Sequence, residues 1–195
     1  MSLADGYNDF ADSGAAYREG LFQRELMVFW VQSLFEQLES FANQFNGRIA
    51  QTCICVDVEK PEFHKVSCRD VSIFNPNGIE KLYYEGHIVN GRIALFLRGV
   101  DNEIDAFLLP VSSLLRLSLN PDEGSNFVAF IRLYLDVAVP DRVALQISSL
   151  DGERIEELET SSIPLLARYL FSAFIQESMN SDEQCAYRPA EPVRN

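Results

Sequence analysis

The stretch Tyr83-Tyr84-Glu85-Gly86-His87-Ile88-Val89-Asn90-Gly91-Arg92-Ile93-Ala94-Leu95-Phe96-Leu97 decides the fold. Asn and Gly tolerate the positive φ that a two-residue type I′ turn demands. The dipeptide Asn90-Gly91, set between two runs rich in aromatic and β-branched residues, therefore predicts a β-hairpin. A second turn, Asp101-Asn102-Glu103, follows one strand later, and Ile104 to Leu109 returns. The centre of the chain reads as an antiparallel meander.

Upstream, Met27, Val31, Leu34, Leu38, Phe41 and Phe45 recur every three or four residues, the apolar seam of a helix over 15–45. Leu26, Trp30 and Phe35 widen that seam beyond what a two-stranded coiled coil needs. Asn46-Gly47 supplies a C-terminal stop through the left-handed conformation open to Gly. Residues 1–12 are acidic and aperiodic and are expected to form a flexible N-terminus. Between helix and hairpin the pattern predicts a strand over 48–58, with Ala50, Thr52, Ile54, Val56 and Val58 on one face. A second strand over 63–74 follows Pro61 and ends at the turn Asn75-Pro76-Asn77-Gly78.

Downstream, Pro110 opens a short apolar segment to Leu119, and Asn120 to Asn126 is turn chemistry. Phe127 to Asp136 alternates as a strand, and Val143, Leu145 and Ile147 mark another. After the turn Asp151-Gly152, the acidic run Glu153 to Glu159 reads as a solvated segment tethered by Ile155 and Leu158. A last helix over 162–179 buries Ile163, Leu166, Leu170, Ala173 and Phe174. Residues 180–195, polar and carrying Pro189 and Pro192, are expected to be a disordered tail. Two amphipathic helices need a surface to cover, and the meander offers one. The fold class expected is α+β, an antiparallel meander sheet packed against a long N-terminal helix and a C-terminal helix, in a single domain over 13–179.

The net charge is −13 over 195 residues. Acidity concentrates at the two ends: residues 1–47 hold seven Asp and Glu against two Arg, and residues 141–195 hold ten against five. Such a chain repels phosphate, which disfavours direct nucleic-acid binding and anionic membrane surfaces. No run approaches the roughly 20 apolar residues of a membrane helix, and no basic-then-apolar leader opens the chain. The four cysteines are too few for a disulfide scaffold, and a reducing, cytoplasmic setting is expected.

The one constellation with ligand-like chemistry is Cys53, Cys55, His64 and Cys68. Alternation places Cys53 and Cys55 on one face of a strand. With His64 and Cys68 on a neighbouring strand, a tetrahedral zinc site is a candidate; the alternative is three small half-buried hydrophobes. His87 is a candidate general base, but no nucleophile motif, phosphate-binding Gly loop or paired-His metal motif accompanies it. No cofactor is expected. The reading is a non-catalytic protein-binding module of adaptor, chaperone or inhibitor type. Its partner would be basic or would present an extended segment to a sheet edge. The alternatives are an acidic DNA mimic that blocks a nucleic-acid enzyme, and an enzyme or metal protein using His87 or the Cys53/Cys55/His64/Cys68 group. Met27, Trp30, Val31, Leu34, Phe35, Leu38 and Phe41 are the candidate interface of a homodimer, because so wide an apolar stripe exceeds what a modest sheet covers.

Residues 91–114, with Ile104-Asp105-Ala106-Phe107-Leu108-Leu109-Pro110-Val111 at their centre, resemble a segment of the proteolysis adaptors called stringent starvation protein B. There too a helix precedes a small barrel-like sheet, and a strand ends in Pro before a short apolar stretch. The resemblance implies an adaptor and transfers no binding residue. The order helix, strands, helix with strong acidity also resembles small secretion chaperones at the level of fold.

Overall fold

The computed structural model describes residues 3–48, 55–68, 79–114, 130–135, 142–149 and 152–186. Helix α1 spans Leu3–Arg48 and is followed by strands β1 (Asp57–Cys68), β2 (Ile79–Val89), β3 (Ile93–Val100) and β4 (Glu103–Pro110). Strands β5 (Ile131–Leu135), β6 (Arg142–Ser149) and β7 (Gly152–Glu159) come next, and α2 spans Ile163–Ala186. The strands form one antiparallel sheet in chain order, β1 to β7. The α+β class with a meander between two helices is the one expected from the turns.

Both helices lie on one face of the sheet. Alternation in β3, β4 and β5 sends Leu95, Leu97, Ile104, Ala106, Ile131, Leu133 and Leu135 to that face. They meet Met27, Trp30, Val31, Leu34, Phe35 and Leu38 of α1 and Ile163, Leu166, Ala167, Leu170 and Phe174 of α2 in a single core. Burying each large apolar side chain here contributes roughly 1.5–3 kcal/mol. The indole Nε1 of Trp30 is buried there with no hydrogen-bond partner among the described residues. An orphaned donor of this kind costs about 1–3 kcal/mol.

Four local expectations are corrected. Helix α1 starts at Leu3 rather than Ala15, so the acidic, aperiodic opening is helical. A helix nucleated in a packed region propagates without apolar periodicity. Likewise α2 continues past Met179 to Ala186, while 187–195 lie outside the described residues. Pro61 does not separate two strands: β1 runs through it, with a register shift between Glu59 and Glu62. An edge strand has one side free of ladder bonds, so it absorbs a proline at a bulge. The acidic run after Gly152, read as a solvated segment tethered by Ile155 and Leu158, takes the regular form of strand β7. The expected strand residues Ala50, Thr52 and Ile54, the turns at 75–78 and 120–126, and Phe127 lie outside the described residues.

Two turn assignments change in detail. Among the described residues only Gly91 (φ 89°) and Asp101 (φ 52°) have positive φ, so Asn90-Gly91 is not a type I′ pair. Asn90 instead stands just before the turn, and its side-chain oxygen accepts the N–H of Ile93 at 3.0 Å and of Arg92 at 3.3 Å. Gly47 takes no left-handed cap. Its neighbour Asn46 anchors the end of α1, donating to the Val56 carbonyl at 2.9 Å and accepting from the Val56 N–H at 3.0 Å.

Candidate binding edges and a charged outer face

The sheet's outer face, away from the helices, carries a polar register. Glu85 of β2 pairs with Arg98 of β3, Arg98 with Asp105 of β4, Asp105 with Arg132 of β5, and Arg132 with Gln146 of β6. Opposite charges thus alternate across four adjacent strands. Arg98 Nε donates to Glu85 Oε2 at 2.8 Å with both side chains buried, and its guanidinium lies 4.8 Å from the Tyr83 ring and 5.1 Å from the Phe96 ring. Arg132 grips Asp105 with two bonds, Nε to Oδ1 at 2.6 Å and Nη2 to Oδ2 at 3.0 Å. The hydrogen bond to Asp105 holds the Arg132 guanidinium above its ordinary pKa, against an opposing contribution from burial. Next to this row, Phe96 and Phe107 pack with Ala94 and Leu109, and Val111 and Leu114 of the helical turn at 111–114 close over them.

The register is the reason for the row. A slip by one residue would turn every charge toward the apolar core on the helical side, so the ladder and the core select the same pairing.

His87 lies in this face opposite Glu59 of β1, with Nε2 3.1 Å from Oε2. Among the described residues its imidazole meets that carboxylate and no hydroxyl or thiol that it would activate. The candidate metal group is not assembled among the described residues. Cys55 precedes β1, exposed and free, with Sγ 4.0 Å from Asp57 Oδ1. His64 and Cys68 fall on β1 itself, the strand that Cys55 precedes, rather than on a neighbouring strand; the side chain of Cys68 is not among the described ones. Cys53 lies outside the described residues.

The seam assigned to a dimer is core. Met27, Trp30, Val31, Leu34, Phe35 and Leu38 are buried within one chain, and Phe41 is half-buried. With α2 lying beside α1, the sheet covers the stripe that looked too wide for it. Among the described side chains, the large apolar ones exposed on α1 are Leu21, Phe22 and Phe29.

The two sheet edges differ in kind. Edge β1 carries Pro61, which offers no N–H, and is bent by the shift between Glu59 and Glu62; Lys60 is held to Glu39 of α1 at 3.1 Å. Edge β7 pairs with β6 through eight consecutive positions, from Ser149 and Gly152 to Arg142 and Glu159, without a shift. It has no proline, and four of its eight residues are Glu against a single Arg. Among the described residues no strand pairs with its other side.

No described helix is long and apolar enough to cross a membrane. Comparison with protein-family models, with curated proteins and with solved structures gives no match. The local resemblance over 91–114 rests on those residues alone.

The charge ladder was missed in the sequence. Its signal was present: Glu85, Arg98, Asp105 and Arg132 occupy alternating positions whose neighbours are apolar. Their partnership needed a register that the turns alone did not supply.

Proposed function

We propose that the chain is a non-catalytic protein-binding module of adaptor, chaperone or inhibitor type that receives a basic, extended segment of a partner along β7. The observation that carries the reading is the unshifted β7 at the end of the sheet, with its acidic sequence. In strand addition, main-chain hydrogen bonds supply affinity and alternate side chains supply selectivity. A segment rich in Lys or Arg finds opposite charge across the new pair. A second copy of β7 finds like charge, which is destabilising directly across a pair. The same carboxylates therefore admit a basic strand and discourage self-pairing.

The alternative of a phosphate mimic asks for a continuous band of unpaired carboxylates. Among the described residues Glu39, Glu59, Glu85 and Asp105 each face Lys60, His87, Arg98 and Arg132 in turn, which favours the binding module. The reading is tested by comparing the proteins retained from the native host by the unaltered chain and by the triple variant Glu153→Lys, Glu156→Lys, Glu157→Lys. A basic partner retained by the first and lost by the second is expected. Identical retained sets would refute strand addition at β7.

A further inference from the structure

A second surface, on the helical layer, has the opposite charge preference. Phe41 and Phe45 of α1 and Phe171 and Ile175 of α2 are packed against the core yet half-exposed. The Phe171 ring lies 5.9 Å from both Phe41 and Phe45. Two adjoining depressions share Phe45 and Phe171, with volumes of about 270 and 560 Å³. The larger ends at Met179, whose thioether side chain is 59 % exposed. An exposed, unbranched Met adapts its shape to an incoming apolar group. The smaller is bordered by Arg48 and Arg168, both exposed and without an ion-pair partner among the described residues.

Two arginines unpaired among the described residues stand beside this aromatic floor in a chain of net charge −13. Carboxylates outnumber basic groups here by 29 to 16, so surface arginines have many candidate partners nearby. We infer that this groove docks a short amphipathic segment of a partner protein, with apolar side chains on the Phe41, Phe45 and Phe171 floor and one or two carboxylates on Arg48 and Arg168. Arg suits this role because its planar guanidinium binds a carboxylate through two parallel hydrogen bonds. The global charge repels acidic proteins as a whole, so the acidity of the partner has to be local to the segment. Apolar anchors three or four positions apart match a helix laid in a groove. This surface is independent of β7, and two surfaces of opposite preference are what an adaptor requires to hold two partners at once.

A random-peptide library displayed on phage, selected on the full chain and counter-selected on the Arg48→Glu/Arg168→Glu variant, tests the inference. Enriched peptides should carry Asp or Glu beside apolar residues spaced by three or four. Their affinity, read by fluorescence anisotropy, should fall by at least about tenfold in the double variant, as expected for lost charge-assisted bonds. Both arginines are exposed, so the variant should stay folded, with only the small fall in thermal midpoint expected from Glu at the negative end of the α1 dipole; Arg48→Ala/Arg168→Ala should show the same loss of binding. The β7 triple variant should bind the peptides unchanged, which separates this site from the edge. Enriched peptides without carboxylates, equal binding to both chains, or no enrichment would overturn the inference. So would dimerisation of the unaltered chain that disappears in the double variant, because the occupant would then be a second copy.

Discussion

The two edges of one sheet handle the same hazard by different means. At β1 the backbone itself is spoiled for pairing: Pro61 lacks a donor, the register shifts between Glu59 and Glu62, and Lys60 is tied to Glu39. At β7 the register runs without a shift and the strand has no proline, so its acidic composition is what is left to guard it. Geometry excludes every strand, whereas charge excludes only strands of the same sign. The difference marks β7 as the edge at which selective pairing remains open.

Between the two edges, the buried pair of Glu85 and Arg98 fixes the register of β2 against β3. Arg98→Met should therefore have the largest effect on the comparison, because it leaves Glu85 charged and uncompensated. A loss of about 3–5 kcal/mol in urea unfolding is expected. The double variant Glu85→Leu/Arg98→Met should recover most of it, since an apolar pair of similar volume is often neutral or stabilising. A double variant no more stable than Arg98→Met alone would contradict this account of the pair.

The β1 bulge is sharpened by Gly86. A Cβ at that position would lie 2.8 Å from the Pro61 nitrogen, 2.9 Å from the Glu59 carbonyl oxygen and 2.9 Å from Phe35 Cζ. Two of these are backbone atoms of the bulge, so Gly86→Ala should cost about 1–3 kcal/mol. A Cβ at Gly99 would meet side-chain atoms only, those of Met27 and Val31, so Gly99→Ala should cost less than Gly86→Ala. Equal losses at the two glycines in the same unfolding assay would mean that the bulge is not held in place by Gly86.

A smaller effect is expected from Pro61→Ala. It restores an N–H to the defended edge and should change stability by less than about 1 kcal/mol, partly through the unfolded chain. Its signature is association: light scattering should rise with concentration more steeply than for the unaltered chain. The β7 triple charge reversal is read in binding rather than in stability: it should abolish retention of the basic partner.

These contrasts also show what the sequence could convey. The seam from Met27 to Phe45 and the turn at Asn90-Gly91 were legible because period and turn chemistry are local. The assignment of Trp30 and Phe35 to core or interface was not, because it depends on how much of α1 the sheet and α2 cover together. Strand β7 was hidden because four Glu lower its β propensity, and Ile155 and Leu158 do not alternate with period two. Pro61 reads as a boundary in the sequence because tolerance of proline depends on lying at a sheet edge, which is a property of topology. The groove of Phe41, Phe45 and Phe171 joins residues far apart in the chain, and only the packing of α2 on α1 brings Arg48 near Arg168.

The central claim, that β7 receives a partner strand, is tested most directly by amide hydrogen exchange on the chain alone and in complex with a partner isolated from the native host. Added strand pairing should slow exchange at alternate β7 amides between Gly152 and Glu159 and leave β1 unchanged. Exchange at β7 that stays the same while protection appears elsewhere would contradict the account.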